Sequence, residues 1–388
     1  MDRKITLIAT TAFGLESLVK AEVSRLGYDI IKVENGRVYY RTDVEGIVRS
    51  NLWLRCADRV LLKMGSFRAT TFEELFQGTK QIPWEELLPK DARFPATKIT
   101  SVKSKLFSKS DGQSIVKKAV VERMKEHYGI DWFEESGALF PIHIQILKDE
   151  VVLSVDTSGS GLHKRGYRQY ASAAPIKETL AAALVYLSRW QPHRYFIDPL
   201  CGSGTIVIEA ALIGRNIAPG LKREFVSESW PLFEKGQWQA LREKAKSEEN
   251  NRTFRLLGSD KDPRVLRQAR TNAELAGVED FVAFQTLPVE NLKTQRRYGV
   301  VVTNPPYGER LGDDRENKKL YRIMGDVFGN MPDWSYFIIC GHPEFERAFG
   351  KKANKNRKLY NSMIKTYYYQ YFGPLPPRRK ETNEEKNI

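Results

Sequence analysis

The chain has 388 residues, 41% of them hydrophobic, and carries a formal net charge of +14 at pH 7. Its 7 Trp, 17 Tyr and 19 Phe supply apolar surface enough to offset the entropy of ordering, which excludes disorder as the main state. No apolar run reaches the ~18 residues of a membrane helix, and the charge excess anticipates a polyanionic partner.

The opening residues lack the apolar segment of a secretory signal. Cys56, Cys201 and Cys340 are odd in number and far apart, with no C-x-x-C spacing. Neither a disulfide framework nor a zinc site follows. The expectation is a soluble cytoplasmic protein that uses no metal and no membrane.

Ile5–Thr10 reads as a strand, and Gly14–Leu26 as an amphipathic helix with Leu15, Leu18, Val19 and Leu26 on one face, closed by Gly27. Ile30–Val33 and Arg37–Arg41 form a hairpin about Asn35-Gly36, a favoured turn dipeptide. A second helix follows over about 44–51, and this β-α-β-β-α order predicts a ferredoxin-like subdomain over 1–54. A second unit covers 55–158. Between positions 63 and 126 it holds 13 Lys/Arg against 8 Asp/Glu, and Ser104–Ser110 sets cations, hydroxyls and Phe107 in a loop suited to phosphate contacts. Ile142–Leu147 and Val151–Asp156 make another hairpin. Ser158-Gly159-Ser160-Gly161 reads as a flexible hinge by composition.

Beyond it, apolar strands alternate with helices. Tyr195–Asp198 leads to a helix over 204–214, Arg255–Asp260 to one over 263–276, Gly299–Thr303 to one over 318–328, and Tyr336–Cys340 to a short one over 344–349. That alternation predicts a parallel sheet covered on both faces, over 159–375. Lys358–Tyr360 and Thr366–Phe372 read as a closing antiparallel pair, and a Pro-rich, charged tail over 376–388 is expected to be mobile.

Asp198-Pro199-Leu200-Cys201-Gly202-Ser203-Gly204-Thr205 stands where a strand ends and a helix begins, the edge at which open α/β sheets bind ligands. Gly202 and Gly204 permit a tight turn that brings N–H groups close to a ligand. The Walker pattern is absent, as is the third glycine of the dinucleotide fingerprint. The next strand ends in Gly258-Ser259-Asp260, whose carboxylate suits the hydroxyls of a ribose. The spacing requires an insertion, supplied by 215–251. Val302-Thr303-Asn304-Pro305-Pro306-Tyr307-Gly308 ends a further strand, and its two prolines fix a rigid turn that aims Asn304 and Tyr307 at the same edge.

With Asn304-Pro305-Pro306-Tyr307 the chain resembles the class I S-adenosylmethionine-dependent amino-methyltransferases. Leu162–Arg168 with Ala174–Ala181 looks like the segment preceding the catalytic domain of THUMP-containing RNA methyltransferases, and 304–311 is similar to the guanine-N2 branch acting on bacterial large-subunit ribosomal RNA. The resemblance covers essentially the whole chain. It implies a Rossmann-like methyltransferase domain with a mostly parallel seven-stranded sheet and an antiparallel C-terminal strand, preceded by ferredoxin-like and THUMP α+β modules.

The resemblance further implies that Asp198, Pro199, Gly202, Ser203, Gly204 and Thr205 surround the amino-acid end of S-adenosylmethionine. Asp260 and Asp262 would take the ribose, and Lys177 would close over the methionine end. Asn304, Pro305, Pro306 and Tyr307 would carry the catalysis, with Tyr307 stacked on the base. Where the family usually has an adenine-contacting Asp, this chain has Pro288, which shifts that contact to backbone groups or Glu290. The expected activity is methylation of a guanine N2 amine in 23S rRNA, as a step of rRNA processing. A tRNA or other nucleic-acid amino-methyltransferase, or a non-catalytic ribosome assembly factor, remains open. From Arg347 to the end, 11 Lys/Arg face 3 Glu, a second basic region beside the predicted catalytic domain.

Overall fold

The computed structural model describes residues 4–168, 176–307 and 313–377. The chain divides into two compact units, 1–166 with 216–249 and 167–215 with 250–388. No helix among the described residues is long and apolar enough to cross a membrane.

The first unit is built on seven strands, β1 (Ile5–Thr10), β2 (Asp29–Glu34), β3 (Arg37–Thr42), β4 (Arg59–Arg68), β5 (Ala96–Val102), β6 (Ile142–Leu147) and β7 (Glu150–Asp156). They form one sheet in the order β2-β3-β1-β4-β7-β6-β5. The two units expected over 1–54 and 55–158 therefore share a sheet. β4 is the seam, because its first residues pair with β1 while Leu61 to Arg68 pair with β7. A register shift between Lys63 and Gly65 bends it. Gly65 is required there, since a Cβ would lie 2.6 Å from the Ile82 side chain.

Composition misleads at Ser158–Gly161. The Ser158 hydroxyl accepts from Val60 N and donates to Asn51, and the Arg223 guanidinium donates to the carbonyls of Ser158, Ser160 and Gly161. Glycines serve here because Gly159 has φ +74° and a Cβ on Gly161 would lie 2.7 Å from the His163 ring. Arg223 comes from the predicted insertion, whose residues 216–249 pack within this unit, where Trp230 stacks on Phe140 at 4.7 Å.

The second unit contains β8 (Phe196–Asp198), β9 (Leu256–Asp260), β10 (Val282–Thr286), β11 (Val300–Thr303), β12 (Ser335–Cys340), β13 (Lys355–Asn361) and β14 (Ile364–Tyr371). Their order is β10-β9-β8-β11-β12-β14-β13. The first five run parallel and β14 is antiparallel to both neighbours, the expected mostly parallel sheet with an antiparallel closing strand. Every residue of β8, β11 and β12 is buried, as strands covered on both faces must be. From β8 the chain winds outward through β9 and β10, then returns to the other side of β8 as β11. The carboxyl ends of β8 and β11 thus flank the topological switch point, where such sheets open a crevice.

Candidate active site

The turn after β8 is organised by its glycines. Gly202 and Gly204 have φ of +51° and +83°, and Gly204 caps the helix Thr205–Gly214. A Cβ on Gly204 would crowd Phe284 and Ala269 at 3.0–3.1 Å, whereas one on Gly202 would meet nothing within 4 Å. Gly202 therefore leaves space in front of the loop, and Gly204 serves packing behind it. The turn is closed by Gly204 N donating to Cys201 O at 2.8 Å and tied to β9 by Cys201 N donating to Ser259 O at 2.9 Å.

Asp198 is buried, and its Oδ1 accepts from the Thr303 hydroxyl at 2.7 Å and from Leu200 N at 3.2 Å. Burial pushes its carboxyl up to about 7, reinforced by neighbouring Asp260 and opposed by those two hydrogen bonds. Asp260 accepts from Gly202 N and from Asp262 N, both at 3.0 Å, one on each carboxylate oxygen. Each oxygen keeps lone-pair capacity for a further donor. Asp262 turns to other work: it caps the helix Pro263–Ala276 through Arg264 N and pairs with the Arg264 guanidinium. Pro199 and Ser203 are buried within the loop, where Ser203 O accepts from Asn272 at 3.0 Å, and Thr205 is buried as the first residue of the helix. Lys177 is half-buried immediately before the helix Glu178–Ser188.

A cleft of about 470 Å³ opens at this edge, lined by Leu200, Asp260, Pro288, Glu290, Asn304 and Pro306 among others. Asn304 is held at the end of β11 with its side-chain oxygen buried and, among the described residues, without a hydrogen-bond partner. Such an orphan acceptor is costly unless a ligand donor completes it. Two contacts fix the turn behind it. Tyr321, on the helix Asp314–Gly329, donates its hydroxyl to Pro306 O at 2.7 Å, and Asn361 at the end of β13 donates to the Tyr307 hydroxyl at 2.8 Å. Tyr307 is itself buried, and burial pushes its phenol up to about 12.

The structure therefore brings Asp260 and Asn304 to one cleft, with Pro288 and Glu290 on its wall; the glycine loop reaches it through Gly202 N on Asp260, while Asp198 lies buried behind, bonded to Thr303. Residues 308–311 of the extended motif, and Ala174 and Pro175, lie outside the described residues. Thr303, Tyr321 and Asn361 went unpredicted. Only Thr303 carried a local signal, as the residue before the Asn-Pro-Pro turn. All three cysteines are free and buried, and the described residues hold no cluster of His, Cys, Asp or Glu that could bind a metal.

Residues 165–370 match the family described as the RMKL-like methyltransferase domain, residues 6–61 the RlmL ferredoxin-like domain, and residues 69–156 the THUMP domain. The chain belongs to the RMKL-like methyltransferase family. It is 48% identical over 383 residues to the Bacillus subtilis protein named "Putative RNA methyltransferase YpsC", which covers 98% of this chain and 99% of that protein. A solved structure from Listeria monocytogenes, described as a "predicted N6-adenine-specific DNA methylase", superposes with a TM-score of 0.91 at 53% identity, covering 96% of this chain and 97% of its own. SMU.472, described as "a putative methyltransferase complexed with SAH", superposes with a TM-score of 0.90 at 43% identity, covering 97% of this chain and 100% of its own.

S-adenosylmethionine is the cofactor of this family, and the residues present fit it. The open space before Gly202 would receive its amino-acid end, Asp260 has acceptor capacity for ribose hydroxyls, and Pro288 with Glu290 offers an apolar wall and a carboxylate for the adenine.

Proposed function

We propose that this protein is an S-adenosylmethionine-dependent RNA methyltransferase that methylates the exocyclic N2 amine of a guanine, most specifically in 23S rRNA. The observation that carries the chemistry is the buried, unpartnered Asn304 oxygen at the crevice. An exocyclic amine supplies the N–H donors that this oxygen lacks. The RNA assignment is supported by the THUMP match, by the YpsC relative, and by the basic segment at 103–109, where Lys103 and Lys105 in the loop and Lys109 at the start of the following helix flank Phe107, itself 81% exposed.

The N2 of guanine is a weak nucleophile because its lone pair is delocalised into the ring. Asn304 Oδ1 accepts one N–H and the Pro305 carbonyl the other, which favours a pyramidal nitrogen with an available lone pair. Pro306 O is engaged by the Tyr321 hydroxyl, which holds the turn in place. Bound S-adenosylmethionine supplies a sulfonium methyl that is strongly electrophilic without further activation. The chain's task is alignment, and held orientation can contribute ~7–11 kcal/mol. No strong base is needed, because the amine becomes acidic once alkylated. The N2 lies on the pairing edge of guanine, so the base enters unpaired or flipped.

Mass analysis of rRNA and tRNA nucleosides from cells with and without the protein tests this reading. Loss of N2-methylguanosine from 23S rRNA is expected. Loss from tRNA would move the substrate, loss of N6-methyladenosine would overturn the base assignment, and no change with no S-adenosylmethionine binding would favour a non-catalytic assembly factor.

A further inference from the structure

The hairpin β13–β14 turns through Ser362 and Met363, with Asn361 paired to Ile364 and Ser362 at φ +56°. Hairpin turns in water are ordinarily served by Gly, Asn or Asp. Here Met363 is 94% exposed and the following Ile364 is 47% exposed. A single exposed apolar side chain needs no explanation. Two adjacent ones at a turn form a protruding apolar tip.

Three further observations bear on what meets that tip. Asn361, two residues from Met363, is the residue that holds the Tyr307 hydroxyl, so the tip stands beside the Asn-Pro-Pro-Tyr turn. Below the tip, Lys358 stands opposite Tyr367 and Tyr360 opposite Lys365 across the hairpin. Each lysine also lies over the next tyrosine of its own strand, Lys358 5.4 Å from the Tyr360 ring centre and Lys365 5.2 Å from that of Tyr367. Finally, residues 347–380 contain no Asp or Glu, which selects a polyanion as partner. Alternating cations and aromatics suit phosphates and bases together.

We propose that the Met363–Ile364 tip is a wedge that enters the stack of a folded RNA next to the target base, while the Lys358, Tyr360, Lys365 and Tyr367 face holds the strand beside it. This rests on the reading of the protein as an RNA amino-methyltransferase. Apolar side chains inserted between base steps unstack them, at a cost that the additional contacts offset. A base whose pairing edge must reach Asn304 has to leave its helix, and an apolar tip tied to Tyr307 fills the space it vacates.

The test uses full-length protein, labelled S-adenosylmethionine and total RNA from a strain lacking the gene, either folded with magnesium or heat-denatured. The double variant Met363→Ser, Ile364→Ser is compared with wild type, both checked for unchanged melting temperature and S-adenosylmethionine affinity. The expected result is methyl transfer at least tenfold slower on folded RNA and within about twofold of wild type on denatured RNA. Equal rates on folded RNA would overturn the wedge, as would an equal loss on both substrates, which indicates affinity rather than unstacking. If wild type itself transfers no methyl to either RNA, the underlying RNA methyltransferase reading falls, and the wedge with it.

Discussion

The Thr303 hydroxyl donates to the Asp198 carboxylate at 2.7 Å, joining the carboxyl ends of β11 and β8 across the point where the sheet changes winding direction. The loop that would hold the cofactor and the turn that carries Asn304 are therefore set by one hydrogen bond between adjacent strands. Asp198 holds its proton to about pH 7 in the folded chain, against 3.8 ordinarily. Between those values the folded state binds more protons than the unfolded one, so this group lowers stability as pH rises from about 4 to 7. Asp198→Asn keeps an oxygen for Thr303 and Leu200 and removes the charge. It is expected to stabilise the apo protein by ~2–4 kcal/mol at pH 8 and by nothing below pH 4. Thermal melts of both proteins across pH check this; a pH-independent difference would contradict it.

Asn304→Ala removes the orphan acceptor and leaves the Gly202 loop and Asp260 untouched. Methyl transfer should fall by about 10²–10³-fold or more, the scale seen when a single aligned polar group is lost from an active site. Affinity for S-adenosylmethionine, read by calorimetry, should remain within a few-fold. An active Asn304→Ala protein would remove Asn304 from the mechanism.

The two loop glycines should separate by phenotype. Gly202→Ala places a methyl where no described atom approaches within 4 Å, so it should cost the fold only about 1–2 kcal/mol for the left-handed backbone. Its main effect should be on S-adenosylmethionine affinity, because that methyl occupies ligand space. Gly204→Ala suffers the same backbone strain and also crowds Phe284 and Ala269. It should lower the melting temperature further. Similar melting temperatures for the two variants would refute the distinction.

These contrasts mark what one sequence can disclose. The glycine loop and the Asn-Pro-Pro turn were legible because backbone demands concentrate there in a few consecutive residues: positive φ at Gly202 and Gly204, and a fixed φ at Pro305 and Pro306. The partners that fix their orientation were not. Asn361 and Tyr321 look like ordinary residues of a strand and a helix, and their roles exist only once packing brings them to Tyr307 and Pro306. The same limit explains Ser158–Gly161, where an arginine from position 223 turns a seemingly loose stretch into a fixed one.

Tyr321→Phe isolates one such partner. It deletes the hydroxyl bonded to Pro306 O and retains the ring, which packs against Phe345 at 5.1 Å between ring centres. The loss of about 0.5–1.5 kcal/mol should appear as a roughly two- to tenfold fall in kcat, with KM for S-adenosylmethionine unchanged. A change in that KM with kcat intact would mean that Tyr321 acts on the cofactor pocket instead of the catalytic turn.

Charge in the two basic regions should be additive but not uniform. In the THUMP half several cations are already engaged in ion pairs, since Lys80 pairs with Glu126, Lys117 with Glu135 and Arg123 with Glu85. Lys103 and Lys105 in that half, and Lys358 and Lys365 on β13–β14 of the second unit, are exposed. Lys103→Glu with Lys105→Glu, and separately Lys358→Glu with Lys365→Glu, should each weaken RNA binding and reduce the slope of log K against log salt by about 1 for every phosphate that is no longer neutralised. Combining the four changes should lower the slope by the sum of the two effects, because the pairs sit in different units. Lys117→Glu should destabilise the fold near Glu135 without changing the slope. A salt-independent affinity in wild type, or an equal slope change from Lys117, would show that the RNA does not follow these exposed cations.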